Sequence, residues 1–297
     1  MMENLLNAMD AILITGPTAS GKSALAVELA KRYDGVVVNA DSMQVYDTLR
    51  VLTARPSDAD MQGVPHCLYG HVPAGSTYST GAWLRDVTAL LPRLRAEGRL
   101  PVFVGGTGLY FKALTGGLSD MPAIPEEIRT RLRARLLSEG GAVLHGELGA
   151  LDPDMAATLN PQDGQRIVRA LEVLEATGRS IAELQGQAGP VIVNPERAQK
   201  IVVLPQRDIL HARINGRFEA MLEQGAEDEV RALLDLSLPA EMPVMKAIGV
   251  SQISAMLGGT MTRKDVLEKG AAATRQYAKR QMTWFRNQMD ESWERRS

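Results

Sequence analysis

Apolar residues in this chain fall into two rhythms, and their alternation predicts the architecture. Ala11-Ile12-Leu13-Ile14 is an unbroken apolar run closed by a Gly-rich turn, the pattern of a parallel strand buried on both faces. Leu25 and Leu29 then recur at helical spacing in a segment predicted as helix from about Ser20 to Arg32. Gly35-Val36-Val37-Val38-Asn39-Ala40-Asp41 predicts a second strand, β-branched and ended by an acid. Trp83, Val87, Leu90, Leu91 and Leu94 form the inward stripe of another helix, and Pro101-Val102-Phe103-Val104 is a third buried strand, ending at Gly105-Gly106-Thr107-Gly108. Strands alternating with helices predict an α/β fold, a parallel sheet flanked by helices on both faces. Ligands of such sheets bind beyond the carboxyl ends of the strands, where all three runs place their polar residues.

From Met121 the texture changes. Pro122 and Pro125 punctuate the chain, and Glu126 to Glu139 reads as a polar, Arg-rich helix. Further helices are predicted around Ala142 to Leu151, Gly164 to Thr177 and Ser180 to Gln187. The next strand pattern is Gln199-Lys200-Ile201-Val202-Val203-Leu204, and helices are expected from 208 to the end. The expectation is a core of residues 1–120 and 198–297 interrupted by a mostly helical insertion, 121–197.

Composition narrows the class without naming it. The 297 residues are 45% hydrophobic and 23% charged, which excludes disordered, collagenous and coiled-coil chains. Thirty-three Lys and Arg against thirty-five Asp and Glu leave a formal charge of -2, so a nucleic-acid partner has to be held by a local basic patch. A single cysteine, Cys67, suits a reducing compartment. Met1-Met2-Glu3-Asn4-Leu5-Leu6 carries neither a basic n-region nor a cleavage site, and no apolar run nears the ~20 residues of a membrane span. A cytoplasmic protein with no membrane partner is expected, and a monomer, since no exposed coiled-coil pattern is present. His66, Cys67 and His71 lack the spacing of a structural zinc site.

Gly16-Pro17-Thr18-Ala19-Ser20-Gly21-Lys22-Ser23 fits G-x-x-x-x-G-K-[ST], between a predicted strand and a predicted helix. In that setting backbone N–H groups turn inward on phosphate oxygens and the helix N-terminus adds its positive dipole. Lys22 would reach the outer phosphate, and the Ser23 hydroxyl would help to hold Mg²⁺. The loop specifies a polyphosphate but no reaction; alone, it favours an ATP- or GTP-using kinase or ATPase. Asp41 has three readings: a Mg²⁺-associated carboxylate, a general base facing an acceptor, or a strand-end cap. Gly105 to Gly108 can equally be a tight turn.

Taken in order, longer blocks resemble one family. Gly16 to Ser23, Asp41-Ser42-Met43-Gln44-Val45-Tyr46 and Gly105-Gly106-Thr107-Gly108-Leu109-Tyr110 are similar to bacterial tRNA dimethylallyltransferases, or tRNA isopentenyltransferases. The likeness continues through Asp163 to Glu172, Leu210 to Phe218, Ala247-Ile248-Gly249-Val250 and Thr274 to Gln281. The resemblance implies prenyl transfer from dimethylallyl diphosphate to the exocyclic amine of adenosine 37 in tRNAs whose loop typically carries three consecutive adenosines. It implies that the phosphate loop grips a diphosphate leaving group with Mg²⁺, that Lys22 and Arg217 clamp it, that Asp41 takes the amine proton and that Thr107 lines the channel between the substrates.

Under the same resemblance the candidate tRNA contacts are Asp41, Ser42, Met43, Gln44, Thr107, Arg129, Gln165, Arg166, Ile167, Val168, Arg169, Arg275, Lys279 and Arg280. The insertion is expected to grip the anticodon stem-loop. Residues 271–289 hold Arg275, Lys279, Arg280 and Arg286 and no acid, and on a helix Arg275, Lys279 and Arg286 fall within roughly 40° of one another. Tyr277 and Trp284 lie on the opposite side and are expected to pack inward. A solvated basic face is the plain alternative.

Two departures stand out. Ser23 replaces a more usual Thr, which keeps the hydroxyl. Val51-Leu52-Thr53-Ala54-Arg55-Pro56 replaces an Ile-Gly-Thr-Ala-Lys-Pro stretch and puts local loop geometry in question. An adenine-nucleotide prenyltransferase, a P-loop small-molecule kinase and an RNA-binding module without chemistry are the rivals.

Overall fold

The computed structural model describes residues 9–119, 121–187 and 189–297, so the leader reading of Met1 to Leu6 lies outside the described residues. The chain divides into two units, one running to Leu114 and resuming at Ile192–Ser297, the other Thr115–Val191. The first unit begins β1 (Ala11–Thr15), α1 (Lys22–Arg32), β2 (Gly35–Asn39), α2 (Asp58–Met61), β3 (His66–Cys67), α3 (Thr80–Ala96), β4 (Leu100–Gly105) and α4 (Gly108–Leu114). The second unit holds α5 (Glu126–Glu139), α6 (Gly141–Leu151), α7 (Pro153–Ala157), α8 (Gly164–Thr177) and α9 (Ile181–Gln185). The first resumes with β5 (Ala198–Val203), α10 (Arg207–Glu223), α11 (Ala226–Asp235), α12 (Val250–Leu257), α13 (Arg263–Gln288) and β6 (Glu294–Arg296).

The strands form one six-stranded sheet in the order β3-β2-β4-β1-β5-β6, with every pairing parallel. Every residue of β1 is buried because it is covered on both faces. Ile12 and Ile14 pack with Val27, Leu29 and Ala30 of α1, whereas Ala11 and Leu13 join Trp83, Val87 and Leu91 of α3, Phe111 of α4 and Phe285 of α13. Strand alternation therefore splits one apolar run between two cores. A third cluster packs Phe218, Val230, Ile253 and Val266 of α10 to α13 against Val45, Tyr46, Leu49 and Leu52. The insertion has its own core of Leu132, Leu144, Leu148, Ile167, Leu171 and Ile181.

Two strands escape the sequence pattern. β3 is two residues long. The expected all-helical end is corrected by β6, whose Glu294, Arg295 and Arg296 pair with Ile201, Val202 and Val203. It has no apolar residue to betray it; an edge strand needs only backbone pairing, and its charges discourage a further strand.

The 51–56 departure is held by a carboxylate. Glu229 of α11 accepts the backbone N–H groups of Arg50, Val51 and Leu52 at 2.9, 2.7 and 3.0 Å. Gln44 Nε2 donates to the carbonyls of Thr53 and Ala54. Glu229→Ala strands three amides, so we expect a loss of about 1–3 kcal/mol in urea unfolding. An unchanged midpoint would show that water serves those amides as well. Among the described residues no helix is long and apolar enough to cross a membrane.

Candidate active site

Beyond the carboxyl ends of β1, β2 and β4, three loops meet. The first is Gly16 to Ser23, which feeds α1 from Gly21; the helix begins at Lys22, two residues later than its apolar pattern suggests. Lys22 Nζ donates to the Pro17 carbonyl at 3.2 Å. Ser20 is buried, and its Oγ has no partner among the described residues. The Ser23 hydroxyl lies exposed in the first turn of α1.

The second loop carries Asp41, and Asn39 shapes it. Fully buried, Asn39 accepts the Asp41 N–H through Oδ1 at 2.9 Å and donates through Nδ2 to the carbonyls of Asp41 and Leu68, both at 3.0 Å. Trp83 Nε1 donates to the Asn39 carbonyl at 2.8 Å, and the indole stacks on Tyr110 at 4.3 Å. Asp41 Oδ1 accepts the Met43 N–H at 2.9 Å, which orients the carboxylate. The third loop is drawn against this one at Gly105, where a Cβ would stand 1.9 Å from the Ala40 carbonyl oxygen. That approach lets Thr107 Oγ1 accept the Ser42 N–H at 3.0 Å and donate to Ser42 Oγ at 3.3 Å.

Arg217 reaches in from α10 and donates through Nη2 to Thr18 Oγ1. Its neighbour one turn back, Arg213, donates to the Ser20 carbonyl at 3.3 Å. Burial lowers the Lys22 pKa to about 8; the Asp41 charge opposes this and the Arg217 charge adds to it. Arg217 is also held below its ordinary value by burial, again opposed by Asp41. Burial first, and then the Asp41 charge, push the Tyr69, Tyr110 and Tyr277 hydroxyls up. Lys22, Arg217 and the three tyrosines thus all lie within electrostatic reach of Asp41.

The other candidates are placed unevenly. Ile167 and Val168, expected among the tRNA contacts, are corrected: they are 0% and 5% exposed in the insertion core, so their side chains cannot reach RNA. Gln165, Arg166 and Arg169 face outward from α8. Arg166 pairs with Asp163 at 3.4 Å, Arg169 with the buried Glu172 at 3.2 Å and Arg129 with Glu126 at 3.6 Å. Arg131 and Arg135 are engaged by Glu175 and by Glu139 and Glu147. On α13, Lys279 and Arg280 are exposed, Arg280 lies over the Tyr277 ring at 5.6 Å, and Arg275 donates to Asn215 Oδ1 at 2.6 Å. Trp284 is half-buried: its ring fills the space beside Gly108, yet it also lines a surface groove with Gln276, Lys279, Arg280 and Thr283.

Sequence reasoning missed Asn39, the tyrosines and Gln281. The last enters the sequence reading only as the end of the family-like block Thr274 to Gln281. Its signal is a polar amide at a position where the helix repeat of Thr274, Ala278 and Phe285 faces inward.

A parallel sheet with a phosphate loop after a central strand, β1, and a carboxylate at the end of β2, the strand on the far side of β4, defines a P-loop α/β protein built to act on a phosphorylated substrate. The IPP transferase profile matches residues 44–288, and the isopentenyl transferase profile matches 9–69. The chain belongs to the IPP transferase family. It is 79% identical to the tRNA dimethylallyltransferase of Rhizobium leguminosarum bv. trifolii over 294 residues, 99% of each chain. It is 70% identical to that of Agrobacterium fabrum, again over 99% of each. The tRNA isopentenylpyrophosphate transferase of Bacillus halodurans superposes with a TM-score of 0.67 at 34% identity, covering 96% of this chain and 89% of that one. A eukaryotic dimethylallyltransferase acting on tRNA gives a TM-score of 0.79 at 27% identity, covering 93% and 70%.

Proposed function

We propose that this protein transfers a dimethylallyl group from dimethylallyl diphosphate to the exocyclic amine of adenosine 37 in the anticodon loop of tRNA. The observation that carries the reading is the convergence of two cations, Lys22 and Arg217, on the phosphate loop, with the Asp41–Ser42 loop tied to Thr107 at the neighbouring strand ends. The allylic C–O bond breaks, its electron pair leaving on diphosphate. The amine nitrogen forms the new C–N bond and its proton passes to Asp41, giving isopentenyladenosine and diphosphate. The amine lone pair is delocalised into the purine ring, so proton removal during bond formation is where a base contributes most. Lys22, Arg217 and the loop amides stabilise the charge that grows on the leaving group. Thr107, tied to Ser42, lines the passage between donor and acceptor.

Mg²⁺ fits the residues present. No cluster of three His, Cys, Asp or Glu side chains able to hold a metal exists among the described residues. Mg²⁺ needs no all-protein cage: it binds one or two protein oxygens, substrate phosphates and water. Ser23 would hold it, and the ion when bound neutralises charge on the diphosphate.

The acceptor base must leave its stack, which costs least in an open loop. Ser42, Met43, Gln44 and Thr107 are proposed to receive it. Arg275, Lys279 and Arg280 of α13, with Arg129, Gln165, Arg166 and Arg169 of the insertion, are proposed to hold the RNA backbone. Replacing Arg275 and Lys279 together by Ala should weaken tRNA binding and reduce its log–log salt slope by about one to two. An unchanged slope would return this stripe to a solvated face. The direct test incubates the protein with Mg²⁺, dimethylallyl diphosphate and unmodified tRNA bearing three loop adenosines, with adenosine monophosphate as competitor acceptor. A gain of one C₅H₈ on the loop adenosine supports the reading; modification of the mononucleotide alone, or no transfer, overturns it.

A further inference from the structure

The buried stripe of α13 is not wholly apolar. Thr274, Ala278, Gln281 and Phe285 recur along it and all are buried. Gln281 is 6% exposed, and a buried amide is stable only where its donors and acceptors are met. Both are met by loops of the active site. Oε1 accepts the Thr18 backbone N–H at 2.9 Å, and Nε2 donates to the Gly106 carbonyl at 2.9 Å. One side chain joins the diphosphate loop to the loop that presents Thr107. The fit is built from the other side as well: a Cβ at Gly106 would stand 2.2 Å from Gln281 Nε2 and would push the amide away.

This join lies where the sheet stops helping. β1 and β4 pair as far as Thr15 and Gly105, and Thr15 Oγ1 donates to the Gly105 carbonyl at 3.0 Å. Past that register one loop wraps the phosphate position and the other turns towards Ser42 and Asp41. Thr18 is held twice, its backbone by Gln281 and its hydroxyl by Arg217. Transfer requires the leaving oxygen and the attacking nitrogen at a set separation, and a displacement of about 1 Å costs on the order of 10²-fold in rate.

We infer that Gln281 is a positioning residue for group transfer, whose amide sets the separation of the diphosphate loop from the Gly106–Thr107 loop. It acts through Thr18 and Gly106. The inference rests on the prenyl-transfer reading above and goes beyond it by assigning a function to a residue whose amide bonds the backbones of two site loops.

The test compares wild type, Gln281→Met and Gly106→Ala in steady-state transfer, with the folded fraction of each measured by thermal melting and active-site titration. Met keeps the length and bulk of Gln and removes both hydrogen bonds; Ala at 106 displaces the amide while leaving Gln281 in place. For each variant kcat per folded site should fall about 10–100-fold. The KM for tRNA and the Kd for inorganic pyrophosphate should stay within about threefold, since Lys22, Arg217 and the exposed cations of α13 are all kept. The double variant should fall little further than either single one, because both break the same bond. A raised KM for tRNA with kcat unchanged would make Gln281 an RNA contact and overturn the inference. So would a loss that vanishes once corrected for folded fraction, or losses that simply multiply in the double variant. If wild type transfers no prenyl group, the functional reading fails and takes this one with it; if wild type and both variants turn over equally, only the positioning role fails.

Discussion

Asp41→Asn is expected to lower kcat by ~10²–10⁴-fold, with tRNA affinity changed less than about twofold. The substitution isolates the chemistry because the Asn side chain can retain the structural bond. Oδ1 of Asp41 accepts the Met43 N–H at 2.9 Å, and an amide oxygen at the same place accepts it as well. The turn is held independently by Asn39, whose side chain bonds both the N–H and the carbonyl of residue 41. What Asn cannot do is take a proton from the amine. A loss confined to KM would make Asp41 a binding residue, and no loss at all would leave it a cap for the turn after β2.

Lys22→Met is expected to cost ~10²–10³-fold in kcat/KM for the donor, the scale found when one preorganised donor to a developing negative charge is removed. It should also abolish a pH dependence. In the free protein Lys22 titrates at about 8 because burial disfavours its charged form. Diphosphate binds the charged form, so affinity is full below that value and falls as pH rises through about 8. Pyrophosphate titrations from about pH 7 to 9.5 should show this fall in wild type and its absence in Lys22→Met. The linkage to stability has the opposite slope. The unfolded lysine keeps its ordinary value of 10.5, so between about 8 and 10.5 the unfolded chain binds more protons, and the ligand-free protein gains stability as pH rises there. A flat pyrophosphate profile would show that Lys22 stays charged throughout.

Much of this fold was legible because it is encoded locally. The helices Glu126–Glu139 and Gly164–Thr177 fall where the sequence reading places them, since flanking Pro, Asp and Gly residues act within a turn or two. β1, β2 and β4 announce themselves as apolar runs because both faces of a parallel sheet are covered. β6 is invisible for the converse reason: pairing at an edge uses backbone groups that every residue has. The Gln165 to Arg169 block shows how a motif misleads. Read as one RNA face, it is a helix segment, and its period sends Ile167 and Val168 into the core while Gln165, Arg166 and Arg169 stay outside.

The site divides in the same way. Eight consecutive residues, Gly16 to Ser23, specify a phosphate cradle by themselves, because tight turns, inward amides and a helix N-terminus all depend on neighbours in sequence. Sequence alone likewise determined the sheet-forming runs and, through the ordered family blocks, the chemistry to look for. Only the tertiary structure decided what stands opposite the cradle. It brings Arg217 onto Thr18, carries Gln281 across 263 positions to the same residue, and closes Gly105 on Ala40 so that Thr107 meets Ser42. It also sets the charge state of Lys22, which follows from burial and from the nearby charges of Asp41 and Arg217. Those outcomes depend on distances between residues remote in the chain, which are set by packing the cores together and are written in no local pattern.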